Sequence, residues 1–329
     1  MLRFIFLGTS SGVPTLSRNV TALAVKNSFS KKWLLVDAGE GTQQRIQQAR
    51  LSLHDLAVVC ITHVHGDHCY GLPGLLASAG MGARSEPLTL IAPKEIWQWL
   101  QISAQLTDLH LPDPVHFVES STLHEPLEVY AGVSIQSHVL HHRVPCHAFK
   151  VTAQREQTKL NRDALLNVGL PKGAAWGKLQ QGLDVEFEGR ILSSADFLLR
   201  DIQQVHAVIA GDNDQPELLT AACQNTALLI HEATYTQAVL DKVGSAPMHS
   251  SATMLAEFAQ SVALPNLILT HFSPRYHNEQ GLAELCAEAG QGYQGKLFLA
   301  KDFDEYELTA QGVLNRIKSG APWETPITQ

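Results

Sequence analysis

Short apolar runs that each end in polar residues constrain this chain more than any other feature of its sequence. Their content of Val, Ile and Leu is typical of strands buried on both faces. They cover residues 4–8, 33–39, 56–63, 133–142, 205–212, 227–234 and 267–273. Helices are predicted between them, including 41–50, 93–106 and 252–262, the last with Ser250 or Ser251 as its N-cap. Strands that alternate with helices predict a layered α/β architecture.

Composition narrows the class of protein. A chain of 329 residues is long enough to bury a large core. Its composition, 45% hydrophobic and 17% charged residues, excludes collagen-like repeats and argues against wholesale disorder. The formal net charge is −8, so a nucleic-acid partner cannot be inferred from overall charge and requires a local basic patch.

Cysteine usage and the N-terminal residues indicate the compartment. The five cysteines are widely spaced and form no CxxC pair, which predicts mostly buried, reduced thiols. The apolar run after Arg3 is too short for a signal-peptide core or a bilayer span. We therefore expect a cytoplasmic chain without a membrane partner.

The densest chemical signal is HVHGDH at residues 63–68, directly after an apolar run. In an extended segment His63 and His65 share a face and can bind one ion. Gly66 permits a turn that directs Asp67 and His68 toward a second position. Imidazole and carboxylate ligands suit Zn²⁺ and tolerate Mn²⁺ or Fe²⁺.

Further candidate ligands follow three other apolar runs: His142, Asp212 and His271. Since ligands in open α/β sheets gather at the carboxyl ends of strands, these residues can meet at one edge, with one Asp212 oxygen on each of two ions. His141 is an alternative to His142, which the HRVP turn favours. Asp37 either orients a ligand histidine or is an ordinary turn aspartate.

Residues 150–178 carry six basic and two acidic side chains inside an acidic protein. Their glycines and proline predict a loop rather than a core strand. A solvated surface helix and loop, and a phosphate-binding arm, both remain open on charge alone. Residues 318–329 have little apolar pattern and are predicted to form a loose tail.

Together these motifs resemble the metallo-β-lactamase fold and, in detail, the ribonuclease Z family of tRNA 3′-processing endonucleases. The hexapeptide marks only the superfamily. More specific are FLGTSSGVP at the N-terminus, VDAGEGTQ at 36–43, HEAT at 231–234, HSSATMLAEFA at 249–259 and LILTHFSPRY at 267–276. The resemblance implies a four-layer αββα sandwich that makes one domain of residues 1–329, with an inserted flexible, tRNA-binding arm at 150–190.

The resemblance also assigns site residues. It implies that one zinc is bound by His63, His65 and His142, the other by Asp67, His68 and His271, and that Asp212 bridges them. Asp67 would orient the attacking water, and His249, supported by Glu232, would protonate the leaving oxygen. Two positions depart from the family pattern: Ala174 replaces the usual proline after Gly173, and Asn213 follows Asp212 where threonine is common.

The implied activity is endonucleolytic cleavage of precursor tRNA that leaves a 3′ hydroxyl on the tRNA and a 5′ phosphate on the trailer. Two Zn²⁺ per subunit, with Mn²⁺ or Fe²⁺ as alternatives, a homodimer and no DNA partner are expected with it. The alternatives are a broader RNase with 3′ exonuclease action, a small-molecule phosphodiesterase, a lactonase or β-lactamase, and an inactive RNA-binding module.

Overall fold

The computed structural model of the chain describes residues 1–81 and 86–320. These residues form two compact units: the first comprises residues 1–153 and the chain from 205 onward, and the second is Gln154–Gln204. Of the predicted tail, residues 321–329 lie outside the described part of the chain, and Lys318 is the last residue of a strand.

Seventeen strands are present in the described residues. They are β1 (Leu2–Gly8), β2 (Ala22–Asn27), β3 (Trp33–Val36), β4 (Leu56–Cys60), β5 (Leu88–Ala92), β6 (Val115–Glu119), β7 (Leu127–Tyr130), β8 (Val133–Leu140), β9 (Cys146–Leu160), β10 (Val185–Phe187), β11 (Arg190–Leu192), β12 (Leu198–Ala210), β13 (Leu228–Glu232), β14 (Asn266–Thr270), β15 (Lys296–Leu299), β16 (Glu305–Leu308) and β17 (Leu314–Lys318). One sheet has the order β17-β16-β1-β2-β3-β4-β5-β6, and another β15-β14-β13-β12-β9-β8-β7.

Eleven α-helices connect the strands of the described residues. They are α1 (Thr42–Gln48), α2 (Gly66–Cys69), α3 (Leu72–Met81), α4 (Lys94–Thr107), α5 (Arg162–Asn167), α6 (Ala174–Gln180), α7 (Ser194–Phe197), α8 (Thr220–Cys223), α9 (Gln237–Val243), α10 (Ala252–Ser261) and α11 (Glu279–Gly292). The three predicted helices correspond to α1, α4 and α10. Ser251 is the N-cap of α10, because its side chain accepts from the Met254 N–H.

Three buried hydrophobic clusters define the layers of the first unit. One contains side chains of both large sheets, such as Phe4, Val58 and Phe149, and fills the space between them. A second joins the β4 side of the first sheet to helices that include α3 and α4, and a third joins β13 and β14 to α10 and α11. Helices on the outer face of each sheet make the predicted four-layer αββα sandwich, which is confirmed.

The second unit has its own small core and a hairpin, β10-β11. Trp176, Leu179 and Phe197 are buried in that core. The loop prediction for residues 150–178 is wrong in three places: β9 continues to Leu160, and Arg162–Asn167 and Ala174–Gln180 are helical. Lys159 pairs with Asp201 and Arg200 with Glu156, and this pairing of polar side chains across neighbouring strands carries no hydrophobic signature in the sequence.

Four of the five cysteines are buried and only Cys286 is exposed, as the composition predicts. Within the described residues, no helix combines the length and apolar character needed to cross a lipid bilayer.

Candidate metal centre

Strand ends deliver the candidate side chains of the first unit. The hexapeptide follows β4, His142 follows β8, Asp212 follows β12, and His271 follows β14. Strands β12, β13 and β14 are parallel, so their carboxyl ends meet at one sheet edge. Gly211 permits the close approach of this edge to the hexapeptide, because a Cβ there would lie 2.6 Å from Cys146 Sγ and 2.7 Å from Thr62 Cβ.

The first group of converging side chains is His63, His65, His142 and Asp212. His65 Nδ1 lies 3.0 Å from His63 Nε2 and 3.2 Å from His142 Nε2. Asp212 Oδ2 is 3.6 Å from His63 Nε2 and 3.7 Å from His142 Nε2. Four potential ligand atoms therefore surround one small volume.

The second group is Asp67, His68 and His271, and Asp212 reaches it with its other oxygen. His68 Nε2 and His271 Nε2 are 3.2 Å apart, and Asp67 Oδ2 is 3.3 Å from His271 Nε2. Asp212 Oδ1 lies 3.4 Å from both ring nitrogens. The two oxygens of the Asp212 carboxylate thus face one group each.

These separations fit a metal ion. Two ligand atoms bound tetrahedrally at about 2.0–2.1 Å from an ion are about 3.3 Å from each other. Asp212 Oδ1 is buried and accepts no hydrogen bond from the described residues, although a buried carboxylate oxygen ordinarily requires a partner. A bound cation would satisfy that oxygen and would explain why histidine nitrogens face each other. A third combination, Asp212, His249 and His271, also offers converging ligand atoms.

Neighbouring polar groups orient the histidine rings through the nitrogen that faces away from the centre. His68 Nδ1 is 2.7 Å from Asp37 Oδ2, and His271 Nδ1 is 3.1 Å from Thr234 Oγ1. His142 Nδ1 is 3.0 Å from the carbonyl oxygen of Met248. Such contacts fix the ring and its tautomer. Of the two interpretations of Asp37, the structure favours the one in which it orients a histidine.

Some contacts at the centre carry no sequence signal. The Gly12 N–H donates to Asp67 Oδ2 at 2.7 Å, from a residue 55 positions earlier in the chain. Asp37 and His271 have φ of 61° and 55°, in the left-handed region that non-glycine residues rarely adopt. Such backbone strain is typical of functional sites, where the surrounding structure holds it in place.

His249 and Glu232 form a hydrogen-bonded pair beside the two ligand groups. His249 Nδ1 lies 3.0 Å from Glu232 Oε1. Burial opposes the charge on His249, but the carboxylates of Glu232 and Asp212 outweigh it and raise the pKa of His249 to about 9. The pKa of Glu232 is lowered, because His249 outweighs the effect of burial. A proton is therefore held at His249 at neutral pH.

Burial and charge divide the other histidines. Burial lowers the pKa of His63, His65 and His142, which favours the neutral imidazole that binds metal. Burial acts in the same direction on His68, but the carboxylates of Asp212, Asp67 and Asp37 raise its pKa to about 10. The same negative field favours a divalent cation over a proton.

His141, the alternative to His142, points away from the centre. Its Nδ1 lies 2.6 Å from Asp214 Oδ1, and nearly half of its side chain is exposed. His231, the first residue of the HEAT motif, was assigned no role from the sequence. It is fully buried, and its Nδ1 lies 2.8 Å from the carbonyl oxygen of Glu232.

Comparisons with known proteins identify similar chains. Ribonuclease Z of Marinobacter nauticus is 45% identical over 324 residues, which cover 96% of this chain and 99% of that protein. Ribonuclease BN of Proteus mirabilis is 33% identical over 310 residues and is covered completely by 93% of this chain. A family model described as "Anti-Pycsar protein Apyc1" matches residues 2–125.

Among solved structures, the short form of human tRNase Z superposes with a TM-score of 0.64 at 22% identity, covering 93% of this chain and 99% of that one. This likeness shows the fold. Sequence identity of 45% along nearly the full length of both proteins shows more: this chain belongs to the ribonuclease Z family of metal-dependent endoribonucleases.

Proposed function

We propose that this enzyme is a zinc-dependent phosphodiesterase that removes the 3′ trailer of precursor tRNA. The observation that carries the proposal is the pair of ligand groups that share Asp212. The family supports the substrate, since the relatives are named ribonuclease Z and a structural neighbour tRNase Z. The products are a tRNA with a 3′ hydroxyl and a trailer with a 5′ phosphate.

In this proposal His63, His65 and His142 would hold one Zn²⁺, Asp67, His68 and His271 would hold a second, and Asp212 would be a ligand of both. When bound, the ions would supply a nucleophilic water near neutral pH and would neutralise charge on the phosphodiester. Asp67 orients the attacking water, and its carboxylate is itself held by the Gly12 N–H. His249 then donates its proton to the departing ribose 3′ oxygen, and Glu232 stabilises the charged imidazole.

The leaving group provides a sharp test of His249. With His249→Ala, cleavage of precursor tRNA is expected to slow by about 10²–10⁴-fold, since a ribose 3′ oxygen must be protonated as it leaves. Hydrolysis of bis(p-nitrophenyl) phosphate should change little, because p-nitrophenolate departs without a proton. His141→Ala removes a histidine that points away from the centre and is the control for both substrates. Equal loss on both substrates would contradict the role of His249.

The pH profile tests Glu232. The protonated form of His249 is the active form, so tRNA cleavage should fall as pH rises through the pKa of His249. The midpoint of this fall in the pH–rate profile should lie at or below about pH 9, since bound cations lower the pKa of His249 from its value in the absence of ions. In Glu232→Gln this midpoint should move to lower pH, because the carboxylate that raises the pKa of His249 is gone. An unchanged midpoint would contradict the pairing of His249 with Glu232.

The second unit supports tRNA as the substrate. It contains a cavity of about 560 Å³ whose lining includes the basic residues Lys159, Arg162 and Lys172. The cationic side chains of such a cavity can bind phosphates of the tRNA backbone. We propose that the arm at 150–190 uses this cavity to grip the tRNA body, and that the enzyme is a homodimer in which one subunit's arm presents tRNA to the partner's ions.

Incubation of the zinc-loaded enzyme with a precursor tRNA tests the function. A single cut near the discriminator base, weakened steeply by added salt, is the expected result. Turnover of a small diester without any tRNA cut would favour a small-molecule phosphodiesterase. Progressive shortening from the 3′ end would favour a broader RNase with exonuclease action.

A further inference from the structure

Asn213 connects the strand ends of the candidate metal centre. It is completely buried, directly after Asp212. Its side-chain Oδ1 accepts hydrogen bonds from the N–H groups of His141 (3.1 Å) and Gln215 (3.3 Å). Its Nδ2 lies 3.2 Å from His231 Nε2.

The backbone of Asn213 makes two further contacts. Its N–H donates to Glu232 Oε1 at 3.3 Å, and its carbonyl oxygen accepts from Ser250 Oγ at 2.5 Å. Ser250 is the residue after His249, so Asn213 is also tied to the segment that carries the proposed acid. Asn213 therefore follows Asp212 in the chain and contacts Glu232 directly. It also contacts the residues next to His142 and His249.

The side-chain contacts require an amide. His231 Nδ1 faces the carbonyl oxygen of Glu232, which only accepts, so that nitrogen carries the proton and Nε2 is an acceptor. Asn213 Nδ2 must then donate to His231, which directs Oδ1 toward the N–H of His141. An aspartate has no donor for His231, and a threonine has one polar group where two are needed.

We propose that Asn213 is a positioning residue, which holds Asp212 in register with the segments that carry His142 and the His249–Glu232 pair. The inference rests on the proposed function for the roles of those residues. Loss of a group that orients metal ligands typically costs 10–100-fold in metal affinity or activity. Burial of Asn213 keeps it from touching substrate, so substrate binding is unaffected.

Asn213→Ala and the nearly isosteric Asn213→Asp test this role against Asn266→Ala. Asn266 is also buried and donates from Nδ2 to the carbonyl oxygens of Ala227 and Gly312, but it lies at the amino end of β14, away from the centre. Measured for each variant are Tm, Zn²⁺ affinity by competition with a chromogenic chelator, and kcat and KM for bis(p-nitrophenyl) phosphate.

Both Asn213 variants are expected to bind Zn²⁺ about 10–100-fold more weakly and to lose kcat at unchanged KM, while Asn266→Ala loses only Tm. If Asn213→Ala does not fold, the Zn²⁺ affinity and kcat of Asn213→Asp are compared with those of Asn266→Ala instead. Zn²⁺ affinity and kcat equal to those of Asn266→Ala would overturn the inference and leave the proposed function intact. Failure of the unmodified enzyme to bind Zn²⁺ and hydrolyse the diester would overturn both.

Discussion

Asp212→Asn is expected to reduce kcat for every phosphodiester by roughly 10⁴-fold, since loss of an ion removes several kcal/mol of charge stabilisation. Asp212 is the only side chain of the described residues that faces both ligand groups, and its two oxygens lie 3.4–3.7 Å from four histidine nitrogens. The neutral amide supplies one weak oxygen ligand and one N–H₂ group, which cannot bind a cation. Metal content measured by mass spectrometry should fall together with kcat.

Asp214→Asn is the matched control for this variant. Asp214 is two residues further along the same segment, but its carboxylate pairs with the outward-facing His141 and not with either ligand group. It should retain metal content and kcat. Full metal content and kcat in Asp212→Asn would contradict the bridging role.

Removal of the second unit should reduce cleavage of precursor tRNA but not hydrolysis of a small phosphodiester. Residues 155–203 can be replaced by Asn-Gly, a favoured two-residue turn, between Gln154 and Gln204, whose side chains already hydrogen-bond at 2.6 Å. Precursor tRNA cleavage, measured as kcat/KM, should fall on the order of 10³-fold, because several charge-assisted phosphate contacts of about 1.5–3 kcal/mol are lost. Hydrolysis of bis(p-nitrophenyl) phosphate should be retained, since every proposed ligand lies in the first unit.

Charge substitutions provide the control for the deletion. Arg162→Gln with Lys172→Gln removes two cations of the cavity and should lower the salt dependence of tRNA binding by about two phosphate contacts. Arg190→Gln removes a cation of the same unit that does not line this cavity and should have a smaller effect. Loss of both activities on deletion, or an unchanged salt dependence in the double variant, would argue against a tRNA-binding arm.

The predictable part of the molecule was the part encoded locally. Apolar runs with polar ends identify strands such as β4 and β14 from a few residues, and the sheet-edge rule then brings Asp212 and His271 together. The rule does not account for His63, because β4 belongs to the other large sheet. The choice between His141 and His142 followed from the turn and from the family motif. Both kinds of inference depend on short sequence patterns.

What the sequence could not reveal depends on contacts between distant segments. The Gly12 N–H meets Asp67 only because two loops fold against each other, and the amide of Asn213 acquires its partners from three other segments. The extension of β9 to Leu160 is paired by polar and charged side chains, for which no hydrophobic periodicity exists. Hydrogen-bond partners of this kind are invisible until the fold is known.

Anomalous diffraction from zinc-loaded crystals tests the central claim most directly. Two peaks are expected per chain. One should lie within ligand distance of His63 Nε2, His65 Nδ1 and His142 Nε2, and the other within ligand distance of Asp67 Oδ2, His68 Nε2 and His271 Nε2, with Asp212 bound to both ions. A single peak, or peaks that leave Asp212 without a bound ion, would contradict the two-ion centre and the hydrolytic mechanism built on it.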